Sequence, residues 1–415
     1  MTLTSATQRG REQAADKNAI RPFHVNVVPE AELTELRRRI TATRWPERET
    51  VTDQSQGVQL STMQKLAQYW GKEYDWRKVE ARLNALPQFI TEIDGLDIHF
   101  IHVRSKHENA LSLIVTHGWP GSIIEQMKII DPLTNPTAHD GQASDAFHLV
   151  IPSMPGYGFS GKPTTTGWDP DHIARAWVVL MRRLGYTQFV AQGGDWGAII
   201  TDFMGVHAAP ELRGIHTNMA GAVPPDIDAG IFSGGPVPSG LSDDERRACE
   251  QLSFAYKKGA SPILAFAYQM GRRPQTLYGI ADSPVGLAAY LLDHDAASLA
   301  HISELFVDGR PFGDLTRDDI LDNITLTWLT NTPISSARLY WENKGSFFSV
   351  KGVTVPAAVS VFPEEIYQPP RSWAERAYPR LVHYNKLDRG GHFAAWEQPK
   401  LLCEEVRAGL RSLRK

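Results

Sequence analysis

The stretch FVAQGGDWGAII, residues 189–200, surrounds one carboxylate, Asp195, with Gly193, Gly194 and Gly197. An apolar run precedes it and a helix-compatible run follows. Gly-x-Asp-x-Gly between strand and helix has the form of a nucleophile elbow with aspartate where serine usually stands. The glycines suit a sharp turn that neighbouring backbone approaches closely. The bend holds the side chain clear of the sheet, near a helix N-terminus whose N–H groups favour negative charge. Alternatively, Asp195 is an N-cap that merely starts the helix. Serine needs a base to become nucleophilic, whereas an aspartate side chain, with a reference pKa of about 3.9, is ionised at pH 7. A carboxylate is poorly suited to peptides or esters. It suits displacement at a saturated carbon, which leaves an alkyl ester that water must then cleave, so a base is required.

His392, in RGGHF at 389–393, is placed to be that base, and the order Asp195, acid, histidine is that of this fold's triads. The acid that orients the imidazole is assigned to Glu365 in FPEE, 362–365, with Glu364 as its rival and Asp388 as a weaker candidate. HGWPGS, 117–122, supplies the opposite wall through His117, Gly118, Trp119 and Pro120. Backbone N–H groups of Trp119 and Trp196 are the expected oxyanion hole. Both indoles could equally be core residues. The Trp119-Pro120 bond is trans by default, with cis open to it. GYGFSG, 156–161, matches G-x-G-x-x-G, but loop rather than helix follows, so no nucleotide site is expected. No phosphate loop or zinc-like spacing appears. His99 and His102 fall on a strand, and His294 and His301 fall in the lid without clustered ligands. No cofactor or metal is called for.

These residues follow short apolar runs at 111–115, 147–152, 189–191, 214–218, 353–361 and 381–384, which alternate with helical segments. That alternation implies a mostly parallel sheet covered on both faces, whose ligands bind outside the carboxyl ends of the strands. FITEI-DG-LDIHFIHV reads as a hairpin through Asp94-Gly95. DHIARAWVVLMRRLGY places Ile173, Trp177, Leu180 and Leu184 on one side, with Gly185 as C-terminal cap. Residues 1–21 read as frayed and 22–88 as a helical packing layer against the main domain, with a capping box at Ser61–Gln64. The α/β core occupies 89–222 and 351–415. Between its parts lies a helical cap, 223–350, with starts at SDDE (242–245), Ser283-Pro284 and TRDD (316–319).

The chain has 415 residues, 22% of them charged and 42% hydrophobic, which is ordinary for a globular protein with more than one domain. A formal net charge of −4 gives no basic footprint for nucleic acid. Two distant cysteines, Cys249 and Cys403, indicate neither disulfide framework nor metal site. The N-terminus lacks a signal-peptide core, and no window approaches the roughly 18 apolar residues a membrane span needs. A cytoplasmic protein is expected.

YDWRKVEARLNALPQFITEIDGLDIHFIHV, HGWPGS, GGDWG, DSPVGLAAYLL, SSARLYWEN and RGGHFAAWEQP together resemble the microsomal-type epoxide hydrolases, in order, from about residue 22 to the C-terminus. The resemblance implies an α/β-hydrolase fold with helical cap and N-terminal helical region. It also implies hydrolysis of a small hydrophobic epoxide by water to a vicinal diol, without cofactor. The membrane anchor of the animal enzymes is missing, which fits a soluble bacterial or fungal-type member. Asp195 matches the family's nucleophile, His392 its base, Glu365 the acid partner and Tyr340 one of two cap tyrosines that hold the epoxide oxygen. Phe266 stands at the other tyrosine's position, with Tyr268 two residues later, and the family's Gln-x-Thr-Arg-Pro stretch is altered to MGRRP. Either Tyr268 substitutes through a local shift, or one tyrosine suffices in an altered pocket, or the substrate is not an ordinary epoxide. A haloalkane-type dehalogenase would use the same nucleophile without a phenolic acid, and a non-catalytic binding protein would have no use for the Asp/Glu/His set. Oligomeric state is left open, a homodimer included.

Overall fold

The computed structural model describes residues 16, 18–233, 238–255 and 264–414. Residues 1–15 and 17, expected to be frayed, lie outside that set. Nine described strands form one sheet: β1 Arg21–Phe23, β2 Gln88–Ile93, β3 Leu96–Val103, β4 Leu111–Thr116, β5 Phe147–Pro152, β6 Phe189–Gly193, β7 Leu212–Thr217, β8 Ala357–Val361 and β9 Leu381–Lys386. Their order is β1-β2-β3-β5-β4-β6-β7-β8-β9. Pairing is antiparallel from β1 to β5 and parallel from β5 onward. The first strand is an addition to the sequence reading: three residues at the edge of the supposed helical layer pair with β2.

The β2–β3 turn has positive φ at both Asp94 (50°) and Gly95 (81°), as a primed hairpin turn requires. The helix Pro170–Arg183 buries Ile173, Trp177 and Leu180 and stops before Gly185 at φ 80°. The run expected from 353 is strand only from Ala357. Pro356 has no N–H to extend the ladder, though its carbonyl accepts from the Ile215 N–H (2.9 Å). The loop 156–161 closes on itself through the Gly156 N–H and Gly161 carbonyl (2.8 Å), and no helix starts there.

The chain passes from β4 to β5 on one side, then crosses to β6 on the other. The switch point therefore lies between the carboxyl ends of β4 and β6, where an open α/β sheet leaves a crevice. The cap enters the chain between β7 and β8. Its helices start as the capping residues dictate: Ser242 with Glu245, Ser283 with the Gly286 N–H, and Thr316 with Asp319. At Ser61 the expected box does not form. The helix Leu60–Lys72 already contains that serine, and the Leu60 N–H donates instead to the Glu49 carboxylate (3.0 Å).

The N-terminal helices pack on the cap, which corrects the expectation of a layer against the main domain. The reason is a polar stripe on the cap helix Arg317–Leu329 that meets the polar tips of three aromatic residues. Tyr69 donates to Asp318 (2.8 Å), Tyr74 to Asp322 (2.8 Å) and the Trp70 indole N–H to Thr325 (3.0 Å). Arg82 also pairs with Asp322. Replacing Trp70 by Phe removes one hydrogen bond to the buried Thr325 hydroxyl, which keeps Tyr74 as a partner, and should cost about 0.5–1.5 kcal/mol. Chemical denaturation checks this: the unfolding midpoint should fall, and an unchanged midpoint would mean that this hydrogen bond does not tie helix to cap.

Candidate active site

The C-terminal ends of β4 and β6 run side by side, with Thr116 opposite Gly193. Their following loops nearly touch. A Cβ on Gly193 would lie 2.1 Å from the Gly197 carbonyl oxygen, and one on Gly197 would lie 2.0 Å from that of Thr116. Only glycine fits either place. Asp195 at the apex takes φ 50°, ψ −130°, a strained conformation for a residue with a side chain. The helix Trp196–His207 starts directly behind it.

This bend brings the carboxylate to the 117–120 loop. The Trp119 N–H donates to Asp195 Oδ1 (2.7 Å). The Trp119-Pro120 bond is cis. Gly118 is glycine because a Cβ there would lie 2.2 Å from Asp195 Oδ1. His117 does not face the cavity. Its Nδ1 donates to the Gly118 carbonyl (3.0 Å), its Nε2 accepts from the Met154 N–H (3.2 Å), and burial pushes its pKa down to about 4. It stitches the β4 and β5 loops together. The Pro120 carbonyl accepts from Asn323 of the cap (2.7 Å).

Asp195 Oδ2 faces His392 Nε2 at 3.6 Å, and His392 Nδ1 donates to Glu365 Oε1 at 2.7 Å. The loops after β8 and β9 hold this pair in register, since the Glu364 N–H donates to the Gly390 carbonyl (3.2 Å). Glu364 points away to pair with His301 (2.9 Å), and Asp388 is exposed beside Arg389. Burial works against a charged imidazole at His392. The charge and hydrogen bond of Glu365, then the charges of Asp195 and Asp295, outweigh it and raise the pKa well above the usual histidine range.

The cap closes over the carboxylate and leaves a cavity of about 730 Å³, lined by Asp195, Trp196, Phe266, His294, Tyr340 and Phe347 among others. Tyr340 stands edge-on to Trp196 (4.8 Å) and Trp119 (5.7 Å). Burial and the Asp195 charge keep its phenol protonated far beyond the usual range. The buried Phe266 stacks on Trp119 at 4.8 Å. Tyr268 lies on the exposed rim, 40% accessible, with the Arg272 guanidinium over its ring. Both residues, on the helix Ala265–Arg272, line the cavity, Phe266 from the buried wall and Tyr268 from the rim. Both tryptophan side chains are buried, and Trp196 also lines the cavity.

The sequence reading passed over His294, and the structure corrects it. Its ring lies 4.3 Å from that of His392, and single donor atoms of Asp195, His294 and His392 lie within 4.8 Å of one another. Three such donors could share a cation, but an alkylated Asp195 could not be one of them. Two further carboxyls were also missed. Glu397 accepts from the Gly391 N–H (2.7 Å) and is raised to about 7, chiefly by burial. Glu125 is raised to about 8, by burial first and by the charges of Asp195 and Glu397, although His392 and Gln126 pull it down.

Two consequences can be measured. Gly118→Ala must displace the Asp195 carboxylate, and a shift of about 1 Å costs on the order of 100-fold in rate. Steady-state kinetics should show that loss in kcat, and wild-type turnover would contradict the close approach. Glu125 keeps its proton in the folded state to a higher pH than in the unfolded chain. Its neutral form therefore favours folding fully below the unfolded value, and that gain is lost as pH rises to about 8. The melting temperature of Glu125→Gln relative to wild type should rise from pH 5 to 8 and level off above. A pH-independent difference would contradict the burial.

Comparison with known proteins agrees with this geometry. Residues 20–126 match the family of epoxide hydrolase N-terminal regions, and 112–231 match the alpha/beta hydrolase fold. A putative epoxide hydrolase of Stigmatella aurantiaca is 49% identical over 95% of this chain and 86% of its own. Epoxide hydrolase 1 of Sus scrofa is 34% identical over 96% and 90%. The crystal structure of juvenile hormone epoxide hydrolase from Bombyx mori superposes with a TM-score of 0.81 at 29% identity, over 95% of each chain. The Aspergillus niger epoxide hydrolase structure gives 0.78 at 28%, over 95% and 97%. No described helix is long and apolar enough to cross a membrane. With its α/β-hydrolase sheet, helical cap and N-terminal helices, the chain belongs to the epoxide hydrolase family.

Proposed function

We propose that the protein hydrolyses a hydrophobic epoxide to a vicinal diol through an ester on Asp195. One observation carries this reading: Asp195 faces His392 at 3.6 Å, with Glu365 behind the imidazole at 2.7 Å, at the floor of a largely apolar cavity. In the first step an oxygen of Asp195 attacks an epoxide carbon, the carbon–oxygen bond breaks, and the alkoxide takes a proton from the Tyr340 phenol. A phenol is a competent acid towards a far more basic alkoxide.

In the second step water attacks the ester carbonyl and gives a proton to His392 Nε2. The Trp119 N–H already touches Asp195 Oδ1, where the oxyanion would develop. Collapse releases the diol and an Asp195 carboxylate that contains one oxygen from water. The proton released as ester becomes carboxylate and alcohol restores the phenol. Esterification also removes one of the charges that hold a proton on His392. The imidazole therefore gives up its proton more readily and is free to accept one from water at the stage that needs a base. Glu365 fixes its tautomer and supports the imidazolium that forms.

Tyr340 beside the nucleophile favours an epoxide over a haloalkane, because halide departure needs no acid. His392→Gln should halt the cycle after the first step. Mass spectrometry should then find an adduct of intact epoxide mass on the peptide that contains Asp195. An unmodified protein across a panel of reactive epoxides, or a label on another residue, would refute the mechanism. Halide release from haloalkanes by the wild type would favour dehalogenation.

A further inference from the structure

The cap contributes a second carboxylate–imidazole pair to the site, Asp295 with His294. His294 is 2% accessible and sits at the turn between the helices Pro284–Leu292 and Ala296–Val307. Asp295 divides its carboxylate between two tasks. Oδ1 accepts from the Ser298 N–H (2.8 Å) and caps the second helix, and Oδ2 accepts from His294 Nδ1 (3.0 Å). Burial alone would raise Asp295, but His294 by hydrogen bond and charge, with His392 and Ser298, brings it down to about 2. An ionised carboxylate only accepts, so Nδ1 carries hydrogen and Nε2 is the nitrogen left for other use.

The imidazole lines the same cavity as Asp195 and Tyr340. It is held against Phe266 (5.1 Å), Trp119 (6.0 Å) and His392 (4.3 Å). Of the other phenols nearby, Tyr290 donates to the Phe266 carbonyl (3.3 Å), Tyr157 is buried outside the cavity lining, and Tyr268 lines the cavity from its exposed rim. The charged groups around His294 are Asp293 and Asp295 beside it in the chain, with Asp195 and His392 from the core. Glu397 and His301 share a small cavity with it on the side away from the nucleophile. Asp195, Glu365 and Asp295 thus surround two imidazoles, so a second proton can be held without net positive charge.

We propose that His294, oriented by Asp295, is a catalytic residue of ring opening: its Nε2–H acts with the Tyr340 hydroxyl on the epoxide oxygen, in the role a second phenol would otherwise fill. This deepens the reading of Asp195 as nucleophile and rests on it. As Asp195 forms its bond to carbon, the carbon–oxygen bond breaks, the Nε2–H hydrogen bond stabilises the charge developing on oxygen, and the one proton transferred still comes from the Tyr340 phenol.

The test follows the first half-reaction alone. In His392→Gln the ester accumulates, and its rate of formation on the Asp195 peptide is read from pH 5 to 9 with styrene oxide as probe. Adding His294→Gln should slow ester formation by on the order of 100-fold, the usual worth of a positioned hydrogen-bond donor to a developing oxyanion. The dependence of that rate on pH should change as well. Asp295→Asn, which keeps a helix cap but loses the charge, should slow the step in the same direction. That variant decides the matter if His294→Gln does not fold. Ester formation at an unchanged rate and pH profile in the folded variants would overturn the role of His294 and leave Asp195 as nucleophile. No ester in His392→Gln itself would overturn both.

Discussion

Two backbone segments meet at the floor of the cavity with no room for a β-carbon between them. Thr116 and its successors at the end of β4 lie against Gly193 and Gly197 at the end of β6, and Gly118 lies against the side chain of Asp195. Placement of the carboxylate follows from that contact. The elbow cannot relax outward, since the β4 loop blocks it, so Asp195 holds positive φ and offers Oδ1 to the Trp119 N–H. Strain of this kind costs on the order of 1–3 kcal/mol and persists only where surrounding packing over-determines it. Here the flanking strands are buried throughout β6 and almost throughout β4, and they supply that rigidity.

The second organising feature is how charge is stored. Around the nucleophile the fold buries Asp195, Glu365, Asp295, Glu397, His294 and His392. Charges removed from water are costly unless paired. Two carboxylates obtain partners: Glu365 takes His392, and Asp295 takes His294 with a helix N-terminus. Among the described residues neither Glu397 nor Glu125 makes a salt bridge, and burial pushes both up, to about 7 and about 8, against the pull of His392. Asp195 and His294 line the cavity, with Glu365 and Asp295 bonded to the imidazoles of His392 and His294. In the proposed cycle, loss of the Asp195 charge on alkylation is felt first by His392, its nearest partner.

Local signals in the chain were legible wherever one residue type has one conformational use. Asp94-Gly95 gave the hairpin, Gly185 the helix end, Ser283 and Thr316 the cap-helix starts, and Gly193-x-Asp195-x-Gly197 the elbow. The choice of Glu365 over Glu364 came only from the resemblance and the loop's position; adjacent glutamates have the same composition, and the β8–β9 bridge decides which one turns inward. The Ser61 box failed because a serine followed by glutamine is also common inside a helix, and Glu49 already satisfied the first N–H group. His294 was missed for a deeper reason. Its partner Asp295 is adjacent in sequence, but its neighbours Trp119, Phe266 and His392 come from three other parts of the chain. No spacing rule links them.

Phe266 connects these observations. A phenylalanine there removes a hydroxyl from the cavity but leaves an unencumbered ring face. That face stacks on Trp119 at 19°, and the ring also meets His294 at 31°. Aromatic packing of this kind is worth about 0.5–1.5 kcal/mol per pair beyond burial. Its more important effect here is to hold the imidazole plane while Asp295 fixes the ring's rotation. Trp119 in turn joins both ends of the arrangement, since its N–H holds the nucleophile and its indole carries the Phe266 ring. A shift of the cap would therefore be transmitted to His294 through Phe266 and to Asp195 through Trp119. The cap and the elbow are positioned by the same residue, and the two halves of the site can only be displaced together.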